Sequence, residues 1–239
     1  MTEPQRKTFK WQARKPTPPR VTSKIRIRQS LGRARSFVEE FFGRGRASAK
    51  ITFNLNTVNR ATVNYLRATK KKQENFDFEN AGAALIPLGS KGVKNILYLR
   101  KDQMDFPEFI IHEYAHAAYY RIRKRKGKRN VLLVSEILSY ALHLEWLLTQ
   151  NARRRFERWM DKGEGHYVDL EEGNFMRDGS LTSKVFTASK AGLALASGIF
   201  EKFPKESATR RLLLKDLMEK EFTTFKQAAA WIEKYRPIN

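Results

Sequence analysis

Large apolar side chains are sparse in the first fifty residues until Phe37, and the prolines of KPTPPR and the glycines of GRGR interrupt any period there. This reads as a largely flexible arm over residues 1–49, with a short helix over 25–42 whose apolar end is SFVEEFF. From residue 50 the pattern changes. ITFNLN alternates apolar and polar positions as a strand does, TVNRATVNYLRATKKK follows a helical period, and FDFEN, AALIPLG and NILYLR are short strand candidates punctuated by Gly82, Gly89 and Gly92. A capped helix is expected from Asp105, with Glu108 three residues on, Pro107 in its first turn and Gly127 as its stop.

A second helix is expected from Asn130 through VLLVSEILSYALHLEWLL, with its period continuing through WLLTQNARRRFERWM and breaking at Lys162–Gly165. GEGHYVDLEEGNFMRDG then reads as a Gly-rich turn. Beyond Leu181 the pattern is helical, with Ala188, Ala191, Gly192, Ala194, Ala196 and Gly198 small enough for close helix packing. Thr224 and Gln227 form a capping box ahead of FKQAAAWIEKY.

Charge sharpens this picture. The 239 residues carry a net charge of +22, and residues 1–50 hold fourteen Lys and Arg against three Glu, half of that excess. A further seven basic residues fall within RIRKRKGKR, residues 121–129. Both segments are candidates for contact with nucleic acid or another polyanion, and both could equally be solvated surface. There is no cysteine, so disulfides and Cys-ligated metals are excluded. No run of eighteen apolar residues suggests a membrane span, and MTEPQRKTFK has no apolar stretch of a secretion signal, so a cytoplasmic setting is the expectation.

The candidate chemistry lies in the helix from Asp105. His112-Glu113-Tyr114-Ala115-His116 is an H-E-x-x-H pattern, and on a helix residues four apart share a face, so both imidazoles can grip one ion. Glu113 is placed to reach a water on that ion. Glu136, twenty positions after His116, shares a face of the next helix with Tyr140 and His143. Either Glu136 or His143 could be the third ligand, with Glu136 ahead by spacing. His166 and Tyr167, in the Gly-rich turn, are candidate donors to an oxyanion, against the plainer reading of surface side chains in a turn.

At these residues the sequence resembles the glutamate-ligand zincins, zinc metallopeptidases whose third ligand is a glutamate on the helix after H-E-x-x-H. The resemblance covers roughly forty residues and identifies no particular family within the group. It implies zinc held by His112, His116 and Glu136, with Glu113 as general base, and hydrolysis of peptide bonds in a specific protein substrate. It also implies an α+β, zincin-like fold. A small twisted β-sheet over about 50–104 would precede the active-site helix and a mainly helical lobe over about 105–239, with Ala83–Leu88 or Asn95–Arg100 as the edge strand lining the cleft. One departure is plain: thermolysin-like members carry an aspartate four after the ligand glutamate, where this chain has Tyr140. Two other functions stay open: a protease recruited to DNA by its basic segments, similar in logic to SprT-like proteases, and a non-catalytic basic nucleic-acid-binding or virion-type protein with a degenerate zinc site.

Overall fold

In the computed structural model the described backbone comprises residues 24–46, 50–52, 83–88, 94–99, 107–171, 181–222 and 224–236. Side chains are described for 29–46, 107–167, 187–222 and 224–236. The expected strand FDFEN, the helix TVNRATVNYLRATKKK, the Asp105 cap and the arm before residue 24 lie outside these residues.

Among the described residues seven helices dominate: α1 (Lys24–Phe42), α2 (Pro107–Arg125), α3 (Leu132–Thr149), α4 (Arg153–Glu171), α5 (Leu181–Lys202), α6 (Ser207–Leu217) and α7 (Phe225–Lys234). The part with described side chains is 80% helical and contains no strand, which corrects the expected α+β class to a mainly helical one. The backbone also traces three short strands, β1 (Lys50–Thr52), β2 (Ala83–Leu88) and β3 (Lys94–Leu99), in the order β1-β3-β2. β3 is thus flanked on both sides, so the stretch from Asn95 is not an edge, whereas β2 carries Pro87, a residue that sheets tolerate at edges. The physical reason for the correction is where apolar surface is buried. The described core is built by helices packed on helices, and strands of three to six residues cannot organise it.

The central element is α3. Val134, Ile137, Leu138, Ala141, Leu142, Leu144 and Leu147 are all buried, so it is apolar around most of its circumference, as a core helix must be. Its mean hydropathy of 1.2 over eighteen residues would suffice for a membrane span by length and composition, yet 72% of that window is buried inside this protein. α2 and α5 pack directly on it, α4 packs on α5, and α1 packs on α2. α1 places Ala34, Val38 and Phe42 in the same core at a four-residue spacing, and Phe37 meets Trp146 edge-on at 5.1 Å. The helix expected within the arm is therefore part of the folded body.

Several helix ends follow their local chemistry. α2 begins at Pro107 and ends through Gly127 at φ +65°, where the Lys128 amide returns to the Arg123 carbonyl at 3.0 Å. Thr224 Oγ1 accepts from the Gln227 amide at 3.2 Å, the expected cap of α7. Two expectations are corrected. The residue capping α3 is Val131, without a side-chain bond, rather than Asn130. The break after α3 falls at Asn151, φ +51°, a residue type that tolerates the left-handed region, and α4 then runs unbroken through Gly163 and Gly165. Gly163 sits where α4 crosses α5: a Cβ there would collide with Ser197 and lie 3.2 Å from the Leu193 carbonyl. It is a close-approach residue and not a turn residue.

Candidate metal centre

The two histidines of α2 project from one face, as their spacing requires, and α3 brings Glu136 against them. His112 Nε2 and His116 Nε2 are 3.0 Å apart. Glu136 Oε2 is 3.5 Å from His112 Nε2, and Glu136 Oε1 is 3.6 Å from His116 Nε2. These three residues form a group of donors, each offering one ligand atom, close enough to hold one metal ion. His143 is outside the group. Its ring packs edge-on against Trp159 at 4.6 Å, almost completely buried, so of the two candidates for third ligand the structure brings Glu136 to the histidines.

Burial holds both imidazoles neutral. Desolvation pulls His112 down to about 3. It pulls His116 to about 4, with the Glu136 carboxylate opposing and His112 adding to the effect. Burial also raises Glu136, only partly countered by His116. Because the histidines are uncharged, their contacts with Glu136 are not ion pairs. Glu136 Oε2 and His112 Nδ1 are buried without a hydrogen-bond partner. The set is therefore two neutral imidazoles and a desolvated carboxylate facing one another, which is the donor set of a divalent cation site. The separations of 3.0, 3.5 and 3.6 Å, the last two to different oxygens of the carboxylate, let the three residues share one ion.

Two of the groups that pack on these donors, Ser135 and Tyr120, were not singled out by sequence reasoning. Ser135 Oγ lies 2.6 Å from His116 Nδ1; with the proton on Nδ1 donated to it, the Nε2 lone pair turns toward the other two ligands. Tyr120, one helical turn after His116, stacks on its ring at 6.0 Å and 25°, and shares Ser135 as a hydrogen-bond partner. Burial pushes the Tyr120 hydroxyl up to about 12, against the effect of that bond. Tyr140, at the position of the departure from the thermolysin pattern, sets its ring 4.4 Å from His112, and its hydroxyl bonds Ser189 Oγ at 2.8 Å. The signals were present in the chain: Tyr120 is at i+4 from His116, and Ser135 directly precedes the ligand glutamate.

Glu113 is buried on α2, and its charge helps to raise both the Tyr120 and Tyr140 hydroxyls, which flank the two histidines. His166 and Tyr167 are corrected in placement: they lie within α4 and not on a loop, and the Tyr167 ring packs against Phe225 of α7 at 5.4 Å. Neither belongs to the metal-binding group. Glu108, expected to close a capping box, gives its carboxylate to Arg155 of α4 at 2.9 and 3.0 Å. This contact ties the start of the ligand helix to α4.

Comparison with known proteins finds no matching protein family, no matching curated protein and no matching solved structure. The functional reading therefore stands on the group's own geometry.

Proposed function

We propose that the protein is a zinc-dependent endopeptidase acting on a protein substrate. The observation that supports this reading is the grouping of His112, His116 and Glu136, two neutral imidazoles and a carboxylate, close enough together to hold one ion. Zinc bound there would polarise a scissile carbonyl and bring the pKa of a water toward neutrality. The Glu113 carboxylate, one residue after His112, would serve as the base that takes a proton from the attacking water and as the acid that gives it to the leaving amide nitrogen, ending each cycle as it began. Ser135 and Tyr120 hold the His116 ring in its ligating orientation, and Tyr140 backs His112.

A second reading is favoured by one feature, the depth of the group. His116 and Glu136 are each only 6% exposed, so the ion could serve as a structural pin between α2 and α3. Metal content and cleavage separate the two. Purified chain is expected to carry one equivalent of zinc that His116→Ala lacks, and to cut members of a proteome-derived peptide library. Glu113→Gln is expected to keep the zinc and cut none. Zinc retention with no cleavage by the parent chain would leave the structural pin. Equal cleavage by Glu113→Gln would remove the general base, and equal zinc in His116→Ala would remove the site.

A further inference from the structure

Five of the seven basic residues of 121–129 divide into two sets with different surroundings. One set is engaged by neighbouring residues of the protein. Arg123 is 1% exposed and donates to the Arg129 carbonyl at 2.8 Å and to Glu221 at 2.6 Å. Lys126 and Lys128 both bind Glu219, whose carboxyl the two ammonium groups pull down to about 2. These three side chains latch the end of α2 to residues 219–221 and are not a docking surface.

The other set faces α1. Arg121 donates through Nη1 to the Gly45 carbonyl at 2.6 Å. Gly45 belongs to the GRGR turn that ends α1, in which Gly43 and Gly45 take φ of +96° and +72°. Glu39 fixes that turn, accepting on Oε1 from the Gly45 amide and from Arg35 Nε, each at 3.0 Å. The turn is thus a built structure: Arg46 directly follows the Gly45 whose carbonyl Arg121 binds, and Arg125 lies one helical turn after Arg121. Burial, then Arg125, Arg35 and Arg46, bear down on the Arg121 guanidinium, and Glu39 is the acid that opposes them. Among the described residues, the arginines acting on Arg121 outnumber the acid that opposes them.

We infer that this α1–α2 corner, formed by Arg35, Arg46, Arg121 and Arg125, binds the phosphate backbone of nucleic acid. Guanidinium groups are planar forks that match phosphate oxygens in pairs, and like charges held together by the fold are relieved by a row of anions at regular spacing. This inference does not depend on the metal centre.

The test compares two triple variants of the full chain. One is Arg35→Gln, Arg46→Gln and Arg125→Gln, with Arg121 kept because it holds the Gly45 carbonyl. The other removes equal charge elsewhere, with Lys205→Gln, Lys215→Gln and Lys226→Gln. Each is titrated against a labelled duplex of about 20 base pairs, with salt varied between about 50 and 200 mM. The corner variant is expected to bind at least tenfold more weakly than the control and to lower the salt slope by about 0.9 for each phosphate contact removed. Equal binding by the two variants overturns the inference, as does failure of the parent chain to bind DNA at low salt. Parent binding to polyglutamate that matches its DNA binding, lost equally in the corner variant, would overturn it in favour of an acidic protein partner. A melting curve controls for folding, and the double variant Arg46→Gln with Arg125→Gln, which keeps the Arg35–Glu39 pair, must show the same direction of effect.

Discussion

Gly192 of α5 lies against Glu136 so closely that a Cβ built on it would collide with the Glu136 Cβ and sit 2.9 Å from the Glu136 carbonyl carbon. The neighbour it would strike is backbone as well as side chain, so no rotamer change relieves the clash. The glycine lets α5 press on α3 from behind and so fixes how far the Glu136 carboxylate reaches toward the histidines of α2. Gly192→Ala is expected to shift α3 by a few tenths of an ångström, weakening zinc affinity about tenfold or more and costing about 1–3 kcal/mol of stability as overpacking. Chelator competition and denaturant midpoints read the two effects. Unchanged affinity together with unchanged stability would show that the crossing does not set the ligand's position.

Much of the centre was legible because helical spacing and ligand chemistry are both local. His112 and His116 share a face wherever that helix forms, and the Thr224–Gln227 cap is complete within four residues. What was not legible depends on helix crossings. Gly163 and Gly165 look like a turn in the sequence, yet α4 continues through them because α5 occupies the space a Cβ at Gly163 would need. The same oversight put His166 and Tyr167 on a loop. Asn151 marks the true break after α3, a signal weaker in the sequence than two glycines. The fold class failed for a related reason: alternation over 50–100 suggested a sheet lobe, while the described apolar burial belongs to the helices.

The Ser135 hydroxyl is the one described side-chain partner of His116 Nδ1, at 2.6 Å, and both atoms are buried. Ser135→Ala is expected to leave that nitrogen without a partner and free the ring to change tautomer, lowering metal affinity by about 10- to 100-fold. Ser135→Thr, which keeps the hydroxyl, should restore most of it. If alanine and threonine bind zinc as tightly as serine, the hydroxyl does not orient the ligand.

Acid should unfold the metal-free chain earlier than carboxylate titration alone would dictate. Unfolded, each histidine titrates near 6.5; folded, burial holds His112 to about 3, His116 to about 4 and His143 well below its ordinary value. The unfolded chain therefore binds more protons through this window, so stability is full above pH 6.5 and falls as pH drops below it, by about 2 kcal/mol per buried histidine at about pH 5. Glu136 works in the opposite sense. Its raised pKa penalises the fold above 4.5, and the penalty is lifted as pH falls from the raised value to 4.5. Urea midpoints at about pH 7 and pH 5, with and without zinc, measure this. His143→Leu should flatten the dependence, and a midpoint that does not move with pH would contradict neutral buried histidines.

Glu145 and Arg210 join α3 to α6 through a buried pair, 7% and 3% exposed. The guanidinium meets the carboxylate at 2.9 and 3.1 Å, and Ser207 Oγ adds a bond at 2.6 Å. Arg210 also donates to the Phe203 carbonyl and lies over the Phe200 ring at 4.5 Å, so its charge is met on every side the structure describes. Removing one partner strands the other's charge in the interior. Arg210→Met is expected to cost about 3–5 kcal/mol, far more than the pair's net worth, because Glu145 would then face only Ser207. Adding Glu145→Leu to Arg210→Met should recover a large part of that loss, since a well-packed apolar pair at a buried site is often no worse than an ion pair. Denaturant midpoints of the parent, single and double variants decide it: a single-variant loss below about 1 kcal/mol would mean the pair is solvated in solution, and a double variant no better than the single would mean the loss is packing and not stranded charge.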